Sequence, residues 1–234
     1  MRPDPPARAR TGRNVLARYE LIIFDFDGTL ADSLTWFRGV LGDVVDKHGL
    51  PPIDEAKAER LRSLPPKAIM AELGIPSWKV PFLAADVRAR AAENVDKIHL
   101  FDGIREMLET LSESGVKLAV VSSNGETAVR AVLGEALCTR IDIFACGAAL
   151  FGKASIFRKV IRKAGTTPAR TLSVGDEVRD MEAARDTGCA AAAVNWGFAT
   201  EAILAEQAPD TMFEHPRAIT EHVLAAADPA ARRA

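Results

Sequence analysis

Residues 21–30 read Leu-Ile-Ile-Phe-Asp-Phe-Asp-Gly-Thr-Leu, and the assignment of everything around them follows from how this run is understood. Four apolar residues, bounded by charged ones and a nearby Gly, read as a short buried strand. In an extended chain residues two apart point the same way, so Asp25 and Asp27 emerge together at its end. Two unpaired carboxylates there repel each other and are costly to desolvate; a cation between them, or a proton on one, relieves the cost. Gly28 lets the backbone turn sharply, and its amide with that of Thr29 offers a cradle for an anion. The plain alternative is an Asp-Gly surface turn. Such a turn requires neither the first Asp, nor Phe26, nor the apolar run before it.

Working outward, similar apolar runs recur at Lys117–Val121, Thr171–Val174 and Ala190–Val194, with a weaker one at Ile141–Phe144. Helical patterns lie between them at Ile104–Ser114, Thr127–Leu137, Ala154–Ala164 and Val178–Thr187. Strand–helix alternation predicts an α/β fold, a Rossmann-like parallel sheet covered on both faces, with its sites in the loops after the strands. Residues 33–97 break the rhythm. Leu34, Phe37, Val40, Leu41, Val44 and Val45 recur at helical spacing, and Pro51-Pro52, Pro65-Pro66, Pro76 and Pro81 punctuate the stretch into short helices. The expected division is a core of residues 19–32 and 98–227, with a helical insert at 33–97 and Phe101-Asp-Gly103 marking the return to the sheet.

Three more features follow later strands. Ser122-Ser123-Asn124-Gly125 opens a helix, where hydroxyls and amides suit a phosphate, although Ser and Asn are also ordinary N-caps. Lys153 heads another helix and reads equally well as a solvated side chain. Asp176 and Asp180, in Gly175-Asp-Glu-Val-Arg-Asp180, share a helix face, and acids at a helix start also favour the macrodipole.

Lys plus Arg is 30 and Asp plus Glu is 32, a formal net charge of −2, which gives no reason to expect nucleic acid or an anionic membrane as partner. Hydrophobic residues at 48% and charged residues at 26% exclude a disordered chain. No apolar run approaches the ~18 residues of a membrane span. Cys138, Cys146 and Cys189 lack ligand spacing, read as packing residues, and suit a reducing, cytoplasmic setting. Residues 1–18 carry five arginines among prolines and read as a disordered arm or an over-early start; residues 228–234 read as a flexible tail.

Asp-x-Asp-Gly-Thr, then Ser122, then Lys153, then Gly-Asp-x-x-x-Asp, each after its own strand, resembles the haloacid dehalogenase superfamily of phosphohydrolases. The similarity runs from about Tyr19 to Thr220. An insert between the first two motifs is similar to the subgroup with a helical cap there, and Val194-Asn-Trp-Gly-Phe198 with Pro209-Asp210 resembles its phosphoglycolate phosphatase-like members. The resemblance implies a magnesium-dependent phosphatase acting on a small phosphorylated metabolite, as a monomer or homodimer. It makes Asp25 the nucleophile that becomes an aspartyl phosphate and Asp27 the general acid and then base. Asp25, the main-chain carbonyl of Asp27 and Asp176 would hold Mg2+, with Asp180 auxiliary. Ser122 and Lys153 would hold the phosphoryl oxygens, with Gly28, Thr29, Ser123 and Asn124 around them. Many relatives have Gly-Lys-Pro where this chain has Gly-Lys-Ala154. In the cap, the turn from Arg62 to Lys67 resembles the substrate-specificity segment, so Arg62 and Lys67 are candidates for an anionic substrate or are simply solvated charges. A phosphosugar mutase similar to beta-phosphoglucomutase and a non-catalytic phosphate-binding regulator are the alternative readings.

Overall fold

The computed structural model describes residues 18–147 and 152–225. All of the arginine-rich arm but Arg18, the C-terminal tail, and Phe151 lie outside the described residues. Strand β1 (Leu21–Phe24) leads into four helices: α1 (Ser33–His48), α2 (Glu55–Arg62), α3 (Pro66–Glu72) and α4 (Val80–Glu93). The chain then alternates through α5 (Ile104–Glu113), β2 (Lys117–Val121), α6 (Glu126–Cys138), β3 (Ile143–Ala145) and α7 (Lys153–Ala164). It continues with β4 (Thr171–Gly175), α8 (Val178–Thr187), β5 (Ala190–Val194), α9 (Glu201–Glu206), β6 (Thr211–Phe213) and α10 (Pro216–Ala225).

The strands form one parallel sheet in the order β3-β2-β1-β4-β5-β6. Its central strand shows why the sequence there is an unbroken apolar run. Ile22 and Phe24 face one way, into a cluster with Met107, Leu108 and Leu133 from α5 and α6. Leu21 and Ile23 face the other way, against Phe157, Val160 and Ile161 of α7. A strand buried on both faces has no polar alternate positions. β1 pairs with β2 on one side and β4 on the other, with Ile22 level with Leu118 and Leu172. The chain therefore leaves β1 in both directions, and the crevice at this reversal opens beyond the carboxyl ends of β2, β1 and β4.

The insert hangs on a narrow two-stranded stem. The Asp32 amide donates to the His99 carbonyl at 2.8 Å and the Phe101 amide to the Leu30 carbonyl at 3.1 Å, with an antiparallel bridge between Ala31 and Leu100. The return to the core thus begins just before the Phe101-Asp-Gly103 marker. Asp32 caps α1 by accepting from the Thr35 amide at 3.2 Å. Leu61, Leu73, Ile75 and Val80 form a small apolar cluster of the insert's own, while α3 buries no residue fully.

The four stronger strand readings coincide with β1, β2, β4 and β5, β4 extending one residue further. The weaker one sits two residues late, as Ile143–Ala145, because Asp142 accepts the Leu118 amide at 2.9 Å before the ladder starts. β6, α9 and α10 were not anticipated. β6 is only Thr-Met-Phe, too short to show a period, and its flanking helices are short as well.

Candidate active site

Each motif reaches the same crevice because each follows one of the three central strands or the helix beside them. Asp25 continues β1: its amide donates to the Val174 carbonyl at 2.9 Å, which keeps the loop in sheet register. Phe26 turns into the apolar core, leaving Asp25 buried and Asp27 half-buried on either side of it. One Asp25 oxygen accepts the Phe26 amide at 2.8 Å. The other faces the Lys153 ammonium at 2.9 Å.

The turn that follows uses its amides differently from the expected anion cradle. Gly28 N donates to the Ala31 carbonyl at 2.9 Å and Thr29 N to the Phe26 carbonyl at 3.4 Å, so both are taken up within the turn. Gly28 is required on two other grounds. Its φ is +74°, and a Cβ there would lie 2.2 Å from Asp176 Oδ2. Thr29 contributes its hydroxyl, which donates to Asp176 Oδ1 at 2.7 Å.

After β2, Ser122 is buried and its hydroxyl accepts the Asn124 amide at 3.0 Å. Asn124 reaches across to β1's loop. Its side-chain amide donates to both oxygens of Asp27, at 3.0 and 2.9 Å. Ser123 lines the cavity beside them.

Lys153, the first residue of α7, is not a solvated side chain. It is only 9% exposed, and its ammonium lies between Asp25 and Asp180, bonded to the latter. Burial works against its charge, but Asp180 and Asp25 outweigh that and raise its pKa.

After β4, Asp176 is wholly buried, with Thr29 on one oxygen and the Phe198 amide on the other at 2.7 Å. Asp180 caps α8, accepting the Glu177 amide at 3.0 Å on the oxygen that does not meet Lys153. Burial is the main force on these carboxyls. It pushes Asp27 up to about 6, aided by the Asp25 charge, and Asp180 to about 6 against the pull of Lys153. Asp176 is raised well above the usual carboxylate range by burial and by its acidic neighbours, Glu177 first among them.

Two residues of this segment carry more of the site than the sequence reading assigned them. Glu177 pairs with Arg179, whose guanidinium comes within 4.0 Å of the Asp25 oxygen that faces Lys153. Carboxylate oxygens of Asp25, Glu177 and Asp180 lie within 4.8 Å of one another. An all-carboxylate set of this kind suits a hard divalent cation. The only signal available in sequence was that both residues stand inside Gly-Asp-x-x-x-Asp.

The insert supplies the roof. Arg62 is turned away from the crevice and holds the core instead. Its guanidinium donates to the Phe198 carbonyl at 2.8 Å and the Gly197 carbonyl at 3.1 Å, and to Glu59. The donors of Arg62, the candidate substrate contact, are thus taken up by main-chain oxygens of the loop after β5 and by Glu59, while its side chain lines the cavity within the insert. Lys67 is exposed at the edge of a cavity within the insert. Trp36 is buried and lines the crevice, whereas Trp78 is 69% exposed and borders neither cavity.

The model of the family described as "Haloacid dehalogenase-like hydrolase" matches residues 22–194. A phosphoglycolate phosphatase from Synechococcus elongatus is 31% identical over 205 residues, covering 87% of this chain and 97% of that protein. An N-acetylmuramic acid 6-phosphate phosphatase from Pseudomonas aeruginosa is 28% identical, covering 87% and 94%. Among solved structures, a haloacid dehalogenase-like hydrolase from Streptococcus pneumoniae superposes with a TM-score of 0.72 at 22% identity, covering 88% of this chain and 98% of that one. The chain belongs to the haloacid dehalogenase-like hydrolase family, within which it is a hydrolase of the phosphoglycolate phosphatase-like group.

Proposed function

We propose that the protein is a magnesium-dependent phosphatase that hydrolyses the phosphate monoester of a small metabolite through an aspartyl phosphate on Asp25. The observation that carries this reading is the buried Lys153 beside Asp25, with the half-buried Asp27 across the same crevice. An attacking carboxylate has to be held in position, and Lys153 at 2.9 Å and Arg179 at 4.0 Å face one oxygen of Asp25. Asp27 needs a proton available near neutrality, and its raised pKa of about 6 suits it.

Asp25 attacks phosphorus while Asp27 gives its proton to the departing alcohol oxygen. Asp27, now a carboxylate steadied by Asn124, then takes a proton from the water that hydrolyses the aspartyl phosphate. Lys153 and Ser122 hold the phosphoryl oxygens, with Ser123 and Asn124 at the rim. Asp25, Asp176, the Asp27 carbonyl and Asp180 would hold the Mg2+; of these, Asp25 and Asp180 bring carboxylate oxygens within 4.8 Å of one another and of Glu177, while Asp176 is bonded to Thr29 and the Phe198 amide. When bound, the ion neutralises charge on the transferring phosphoryl group.

Similarity in name does not fix the alcohol. Relatives of comparable identity are named for phosphoglycolate and for N-acetylmuramic acid 6-phosphate, two unlike leaving groups. A cytoplasmic location agrees with the three unpaired cysteines. No helix among the described residues is long and apolar enough to cross a membrane.

The test is free phosphate release from a panel of monoesters, with magnesium and then with excess chelator, alongside Asp25→Asn. Release that needs magnesium and vanishes in a folded Asp25→Asn protein is expected. A fully active Asp25→Asn protein would sink the mechanism, and isomerisation of a hexose 1-phosphate without net release would assign a mutase.

A further inference from the structure

Two adjoining cavities lie under and within the helical insert. The smaller, about 290 Å³, has Asp27, Ser123 and Asn124 on its floor. It therefore opens on the side from which the alcohol departs. The larger, about 530 Å³, runs between α1, α2, α3 and α4. They share Phe37, Val80, Leu83, Val87, Glu177, Arg179 and Phe198 as walls, so no more than these side chains lies between them.

Their linings differ in chemistry. Arg88 borders the smaller one at the reacting end, together with Asp27 and with Arg179, which is paired to Glu177. The larger is walled by Leu41, Val44, Leu61, Ile69, Met70 and Leu73. Of its charged neighbours, Arg38 pairs with Glu55 and Glu59, Arg62 with Glu59 and two core carbonyls, and Arg179 with Glu177, while Lys67 and Glu182 stand at its edge. Protein interiors pack densely and leave few voids larger than a water molecule. A space of this size, with Ile69 and Met70 left half-buried around it, presents apolar surface that no other part of the described chain covers.

We propose that this space is a leaving-group chamber, and that the preferred substrate is the phosphomonoester of a bulky, largely apolar alcohol. One polar or anionic group close to the phosphate is accommodated by Arg88; the remainder enters the insert. The proposal rests on the phosphatase reading of the crevice below. A two-carbon acid ester such as phosphoglycolate would fill only the smaller cavity and leave the apolar walls wet.

The experiment pairs turnover with binding. Ethyl, butyl, hexyl and octyl phosphates and phosphoglycolate are compared by kcat/KM with magnesium. The matching alkyl phosphonates, which cannot be hydrolysed, are titrated by calorimetry. Burying one methylene is worth about a fourfold change in affinity, so kcat/KM and phosphonate affinity should each climb several-fold per added carbon until the chamber fills. Binding should carry a negative heat-capacity change. Ala58 lines the larger cavity, so Ala58→Trp, or Met70→Trp if the first does not fold, should end the climb at a shorter chain.

Flat phosphonate affinity, with turnover highest on phosphoglycolate, overturns the chamber and leaves the phosphatase reading standing. A climb that a folded filling variant leaves untouched overturns it too, because the chains then bind elsewhere. Climbing phosphonate affinity without phosphate release from any ester would uphold the chamber and overturn the phosphatase reading.

Discussion

Replacing Lys153 by methionine keeps the length and apolar volume of the side chain and removes only its charge. In the native site the ammonium lies 2.9 Å from Asp25 and is bonded to Asp180. Without it, two buried carboxylates face each other with Arg179 4.0 Å from Asp25 as the nearest remaining cation. One of them must take up a proton. Protonating a carboxylate of ordinary pKa at pH 7.5 costs about 5 kcal/mol. Relief from burying the ammonium offsets part of that, leaving a net loss of about 3 kcal/mol, the low end for breaking a buried pair. A carboxyl whose folded pKa is raised binds more protons folded than unfolded, so its contribution improves as pH falls toward the unfolded value. Asp180 already stands at about 6 with Lys153 present, and moves higher without it. The parent's Asp180 takes up the same proton below about 6, so the penalty should shrink by about 1.4 kcal/mol per pH unit only down to there, leaving about 1 kcal/mol at pH 5.5. At about 2–4 °C per kcal/mol for a chain of this size, the variant should melt about 6–12 °C below the parent at pH 7.5. At pH 5.5 the gap should narrow to about 2–4 °C. Thermal melts followed by circular dichroism, in excess chelator at both pH values, measure this. An equal drop at the two pH values, or none at pH 7.5, would refute the charge-pairing account.

Asp27 at about 6 must be protonated for the first step and ionised for the second. Phosphorylation of Asp25 should slow as pH rises past about 6, and dephosphorylation should slow below it; rapid-quench rates of the two steps across pH 5–8 read this, and Asp27→Asn should abolish turnover. Arg62→Ala loses its bonds to the Phe198 and Gly197 carbonyls, a loss of about 1–2 kcal/mol for a half-exposed charged donor. KM should rise several-fold with kcat within about threefold, and steady-state kinetics showing neither change would discard the contact as a hold on the insert.

What was legible from sequence followed from local chemistry. A strand buried on both faces has to be apolar throughout, and carboxylates two apart at its end have to be neutralised by something, so β1 and Asp25-x-Asp27 announced both fold and site. Lys153 was ambiguous because a helix-start lysine is usually wet; only the sheet order, which brings α7 beside α8, sets Asp180 against it. The bonds of Arg62 were not legible because its acceptors lie 136 and 135 residues further along the chain, and main-chain carbonyls leave no mark in composition. Gly28 and Thr29 were singled out for their amides, which the turn itself takes up. Their value is space and a hydroxyl for Asp176, neither of which a motif of free amides describes.

These contacts tie the insert to the buried carboxylates through very little material. The Phe198 amide donates to Asp176, and a Cβ at Gly197 would lie 2.3 Å from the same carboxylate. Gly28 stands as close to it, at 2.2 Å by the same measure. Asp176 thus packs against two glycines and is hydrogen-bonded to the loop after β5. The carbonyls of that loop are what Arg62 holds, and the Thr200 amide returns a bond to the Arg62 carbonyl at 3.2 Å. A side chain gripped by close packing yields less readily than one reaching half-exposed across an interface. Were the insert to lift, the Arg62 contacts would therefore be the ones to part, and the carboxylate floor would stay assembled beneath it.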